Sequence, residues 1–224
     1  MEGWRATPRP GTFKRKAPLL GAGMVHDPAT RGVSMTPPPH PFHRAVGLLL
    51  WPSREWAAIA DTEPNRPAEI WLRHTSPLTA MGAVASAIGF VAFGVDGARL
   101  SGANVASLLT AQFVGGLVLV AVMSLVVLTA GPLFGAPLRP ARALEVAAYG
   151  ATPTYFLALA TVYPPLAPFA AAIGAILAVR CIFLGVRSTT KLPALSAGAY
   201  TLLIVLVMLS VEGLAGLAAA FLLR

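Results

Sequence analysis

From residue 77 onward the chain alternates long apolar runs with short polar breaks. A bilayer core needs about 20 apolar residues in helical conformation. By length and breakers, five spans are predicted, over 77–95, 104–130, 143–163, 166–186 and 196–223. The breaks have the chemistry of turns. Residues 96–102 are rich in glycine and charge, 131–142 hold three prolines and two arginines, and 188–195 hold Lys191 and Pro193. The Tyr163-Pro164-Pro165 turn makes the third and fourth spans a hairpin.

Between residues 42 and 76 the pattern changes. Leu48, Leu49, Leu50, Trp51, Trp56, Ile59, Ile70 and Trp71 alternate with Arg44, Arg54, Glu55, Asp61, Glu63, Arg66, Glu69 and Arg73. No apolar run there is long enough to span, so short amphipathic helices lying in the membrane interface are predicted. Pro52 suits the first turn of a helix through Trp56 and Ile59, while Pro64 and Pro67 end it and let another begin. Indole rings favour the headgroup level, which marks Trp51, Trp56 and Trp71 as interfacial anchors.

Residues 1–41 carry eight prolines among scattered basic residues and have few apolar side chains to bury. They read as a disordered basic arm. Lys14, Arg15 and Lys16 ahead of Leu19 and Leu20 imitate a secretory signal, but the apolar patch is too short and too glycine-rich for one. Met24 and Met35 stand as alternative starts beside Met1, and a native chain lacking the first 34 residues is one expectation, which intact mass tests. The domain reading is thus an arm (1–41), a juxtamembrane segment (42–76) and a five-helix membrane domain (77–224).

Composition agrees with this reading. The 224 residues are 56% hydrophobic and 12% charged, too little polar surface for a soluble domain. The net charge of +8 raises nucleic acid as a partner, yet ten of the seventeen Lys and Arg residues precede Ser76 and flank the apolar spans. That is the signature of a cytoplasmic face on anionic lipid, and no nucleic-acid partner is expected. Counting basic residues on alternate sides puts Arg139, Arg142, Arg187 and Lys191 with the N-terminus, against Arg99 and Arg224. The N-terminus is therefore expected in the cytoplasm and the C-terminus outside.

Candidate chemistry is sparse. Cys181 is the sole cysteine and lies in an apolar run, so neither a disulfide nor a cysteine metal cluster is expected. No metal, cofactor or catalytic set is expected, because the spans hold no histidine and no paired aspartates. Three ionisable residues fall inside the predicted spans: Glu145, Arg180 and Glu212. Glu145 and Arg180 both sit toward the cytoplasmic side and could pair or snorkel, whereas Glu212 has no basic residue at its depth. Pro153 should kink the third span near Tyr149 and Gly150, where tyrosines could line a cavity. Small residues recur at four-residue spacing, as at Gly82 and Ser86, Ala85 and Gly89, Ala170, Gly174 and Ala178, and Gly216 and Ala220. Such faces let helices approach closely within the bundle or between copies.

One order of features is familiar. Leu49-Leu50-Trp51-Pro52, then Trp56, Ile59, Glu63 and Pro64, then Ser76-Pro77-Leu78, resembles bacterial members of the Yip-one-type domain family. So do Ala148-Tyr149 with Thr152-Pro153, the proline-ended hairpin and the final pair of apolar spans. The resemblance covers about residues 42–222 and implies a five-helix integral membrane domain with a cytoplasmic N-terminus. Eukaryotic members are associated with Rab-type GTPases and vesicle traffic, but their Asp-Leu-Tyr-Gly-Pro element has no counterpart here, and that function does not carry over. The expectation is an all-α integral bundle in a bacterial inner membrane, acting as a non-enzymatic scaffold that organises lipid or recruits partners. Membrane lipids, other membrane proteins or further copies of the chain are the expected partners. The alternative is a small transporter or channel with Glu212, Tyr149 and the Pro153 kink along its path.

Overall fold

The computed structural model describes residues 41–62, 64–94 and 102–222, with side chains up to Val211. The arm, with Met24 and Met35, lies outside the described residues, as do Glu63 and the side chain of Glu212. The described residues are helical throughout and contain no strand.

Helices α1 (Pro41–Leu50), α2 (Pro52–Ala60) and α3 (Pro67–Ile70) precede the bundle. Pro52 and Pro67 each occupy a first turn, where the missing N–H is no loss. A π-helical turn, Trp71–Thr75, joins α3 to α4 (Ser76–Phe93), so that Pro67–Phe93 is one continuous helical rod. The long helices α5 (Gly102–Ala130), α8 (Ala167–Thr190) and α9 (Ala194–Leu222) follow the predicted second, fourth and fifth spans. Four of the described rods are long and apolar enough to cross a membrane, namely Pro67–Phe93, Asn104–Phe134, Pro164–Thr190 and Ala194–Val211.

The third predicted span differs: it is not one continuous helix. It comprises α6 (Pro140–Gly150), α7 (Thr152–Leu157) and a 3-10 stretch, Ala158–Val162. The break falls at Ala151, where Pro153 has no N–H to offer the Tyr149 carbonyl. Every residue from Ala143 to Gly150 is buried, which makes α6 the centre of the bundle with α5 and α8 packed on it. Small side chains allow this: Ala143, Ala147, Ala148 and Gly150 leave room for neighbours on every side.

The small-residue faces at Gly82, Gly89 and Gly174 point inward, within the chain, while Gly216 and Ala220 lie beyond the described side chains. A methyl group on Gly82 would stand 3.0 Å from the Ala158 side chain, one on Gly174 would stand 3.3 Å from the Thr154 backbone, and one on Gly89 would collide with the Thr161 carbonyl. Gln112 donates to Ser86 at 2.9 Å and the Tyr155 hydroxyl donates to the Gly116 carbonyl at 3.1 Å, tying α4 and α7 to α5. The Tyr200 hydroxyl donates to the Val127 carbonyl and joins α9 to α5. Apolar side chains such as Val84, Ile88, Val91, Val118 and Ile173 face outward, as helices bathed in lipid require.

Candidate functional site

The polar residues of the interior gather at one end of the bundle, around α6. Arg142, in the first turn of α6, reaches back to the end of α2. Its Nη1 donates to the Ile59 carbonyl at 2.8 Å and its Nη2 to the Thr62 carbonyl at 2.6 Å, covering acceptors that a helix C-terminus leaves open. The same Nη1 lies 2.7 Å from Glu145 Oε2. Glu145 is only 1% exposed, and its second oxygen accepts from the Asn65 backbone N–H at 2.8 Å and the Asn65 amide at 3.0 Å. A buried carboxylate is tolerable only when so paired and hydrogen-bonded.

Asn65 extends the network by donating to the Tyr149 hydroxyl at 3.1 Å. The Tyr149 ring is enclosed by two others, His74 edge-on at 4.6 Å between centroids and Trp56 at 6.2 Å, and by the Arg44 guanidinium over its face at 5.7 Å. His74 Nε2 and Thr152 Oγ1 share a hydrogen bond of 2.9 Å. Cys181 closes the far side. The Trp56 indole N–H donates to its sulfur at 3.3 Å, and the thiol donates to the Tyr149 carbonyl at 3.5 Å, the acceptor that Pro153 leaves free. Arg44 Nε, His74 Nδ1 and Thr75 Oγ1 are buried without a hydrogen-bond partner among the described residues.

Several sequence-based expectations change here. Glu145 does not pair with Arg180: it pairs with Arg142, three residues earlier, while Arg180 lies exposed on α8. Trp56 presents no open indole to the surroundings: it is fully buried, its ring pressed on Gly185, where an added methyl would stand 2.6 Å away. Trp71 is half-buried against the core, and Trp51, 63% exposed, is the one of the three with an open indole. Tyr149 and Pro153 are buried by packed side chains at the kink. Arg44 entered the sequence reading only as part of the amphipathic pattern and Thr152 only through the resemblance, while Asn65 went unnamed; its signal was its place in Pro64-Asn65-Arg66-Pro67, a stiff linker with one side-chain amide. The His74–Thr152 pair has the elements of a base and a hydroxyl, but both side chains are buried. Among the described residues no His, Cys, Asp or Glu cluster could hold a metal ion.

The arrangement therefore works as a clamp: α6 holds the linker 61–66, and through Trp56 and Tyr149 the bundle holds α1 and α2. Together with the long apolar rods this defines a polytopic α-helical membrane protein. Residues 46–214 match the family described as the Yip1 domain, and the chain belongs to that family. No curated protein and no solved structure matches it.

Proposed function

We propose that this protein is a non-enzymatic membrane scaffold that presents an apolar edge, held rigidly at one end of its bundle, to the membrane surface or to a membrane-bound partner. The observation that carries the reading is the contrast across α1 and α2. Their inner side, Ala45, Leu48, Trp56 and Ile59, is fully packed, while Leu50 and Trp51 are exposed, as is Leu72 just beyond α3 at 72% exposure. Large apolar groups left open beside a clamp that fixes their position suit lipid or protein contact. The basic residues flanking the spans support a bacterial inner-membrane setting with this end in the cytoplasm.

The test replaces Leu50, Trp51 and Leu72 together by alanine in the full chain. The bundle still inserts and folds, because none of the three is in its core, and the set of crosslinked or co-purified lipids and proteins changes. Identical crosslinking profiles for variant and parent would remove the reading.

A further inference from the structure

We infer that the groove between α8 and α9 is a binding site for one anionic phospholipid, with its phosphate on Arg180. Arg180 is the only charged residue of the described chain between Pro164 and Val186, in a rod of mean hydropathy 2.3. It is exposed. The ion pair found among the described residues is Arg142–Glu145, and the Arg180 guanidinium has no hydrogen-bond partner there. On a rod long and apolar enough to cross a membrane, an exposed guanidinium is met either by snorkelling to water or by an anionic headgroup, and the groove beside Arg180 favours the headgroup.

The groove beside it supplies the rest of a lipid site. It has a volume of about 420 Å³ and an apolar wall formed by Ile176, Val179 and Phe183 of α8 and by Gly198, Leu202 and Val205 of α9. Gly198 keeps it open, since a methyl group added there meets nothing within 4 Å. Arg187 follows Arg180 by seven residues on the same helix, and Lys191 caps the end of α8; both are exposed. At 3.6 residues per turn Arg187 shares one stripe with Arg180 and stands about 10 Å nearer the end of α8. Arg180 bordering an apolar groove, with Arg187 nearer the end of α8, matches an anionic headgroup above an acyl chain. A second copy of the chain is a poorer fit. A two-fold contact through this groove would set Arg180 near Arg180, and neither α8 nor α9 up to Val211 carries an acidic residue to separate them.

The experiment uses the full chain, purified and delipidated in a mild nonionic detergent, and counts retained lipid by native mass spectrometry during titration with dioleoyl phosphatidylglycerol or dioleoyl phosphatidylcholine. The parent should hold one phosphatidylglycerol about tenfold more tightly than phosphatidylcholine, the preference expected of a charge-assisted contact. Arg180→Gln should bring the two lipids within about twofold, and Arg180→Lys should keep part of the preference. Leu202→Trp, which leaves Arg180 intact and fills the groove, should lower retention of both. Equal binding of the two lipids by the parent, an Arg180→Gln variant that keeps the preference, a Leu202→Trp variant that binds like the parent, or a dimer that persists without lipid and parts on Leu202→Trp would each overturn the assignment. None of these variants touches the Leu50, Trp51 and Leu72 edge, so the outcome is independent of the scaffold reading.

Discussion

Two of the ionisable residues within the predicted spans, Glu145 and Arg180, are accommodated in opposite ways. Glu145 sits at the centre of the bundle and is completed from within, by Arg142 and by both nitrogens of Asn65. Arg180 sits on the outer face of α8 and makes no such contact among the described residues. The same desolvation rule governs both, but it assigns them different roles. The inner charge fixes the fold, and the outer one is available to the surroundings.

The comparison breaks most visibly at Glu145. Glu145→Ala takes the counter-charge from Arg142, leaving it the Ile59 and Thr62 carbonyls, and takes an acceptor from both Asn65 nitrogens; removing one partner of a buried ion pair costs about 3–5 kcal/mol. The expected result is a large fall in the unfolding midpoint in detergent, with new proteolysis in the linker 61–66. Glu145→Gln keeps one acceptor for Asn65 and should lose roughly half as much. A variant of either kind with the parent's midpoint and proteolytic pattern would show that the clamp does not hold the linker.

The glycines sharpen the contrast between inside and outside. Gly89→Ala drives a methyl group into the Thr161 backbone, which cannot turn aside as a side chain could. Overpacking of this kind costs about 1–3 kcal/mol. Gly115→Ala, on a face of α5 with nothing within 4 Å, should be neutral or stabilising by about 0.5–1 kcal/mol through helix propensity. Thermal melts of the two variants side by side test whether the small-residue faces serve packing within one chain. Equal destabilisation of both would place a second copy over Gly115.

How far these regions were legible from sequence follows the same division. Pro52 and Pro67 marked helix starts, Pro153 marked the break, and the four-residue spacing of small residues marked the packed faces, because each depends on local backbone geometry. The fate of Trp56 was not legible. Its helix is amphipathic, and periodicity shows that one face is apolar without saying whether lipid or protein covers it; here Gly185 and Cys181 do. The partner of Glu145 was present at the preceding helical turn, yet Arg142 read as one more basic residue of a cytoplasmic connection. Its contacts with the Ile59 and Thr62 carbonyls span about 80 residues of sequence, beyond any local signal. In the third span only Pro153 betrayed the break, because the length and apolarity are those of a crossing helix, whereas the small residues belong to a core.

A smaller effect isolates the link between the clamp and α2. Trp56→Phe keeps most of the buried ring but removes the indole N–H that Cys181 accepts, a loss of about 0.5–1.5 kcal/mol. The more telling readout is the thiol itself. Cys181 is 1% exposed, so maleimide labelling of the folded protein in detergent should be slow. It should quicken several-fold in Trp56→Phe and further in Glu145→Ala, since both loosen the helices that cover it. Unchanged labelling in Glu145→Ala would separate the carboxylate network from the packing around Tyr149.

The smallest effect belongs to Arg180, and its smallness is the informative part. Arg180→Gln should move the melting midpoint in detergent by no more than an exposed substitution does, within about 0.5 kcal/mol, because no described side chain depends on the guanidinium. In bilayers containing anionic lipid the parent should gain stability over the variant, and in zwitterionic bilayers the two should melt together, since a ligand that binds the folded state alone stabilises it by mass action. Loss of stability in lipid-free detergent would instead make Arg180 part of the fold. The outer charge would then resemble Glu145, and the division between the two regions would disappear.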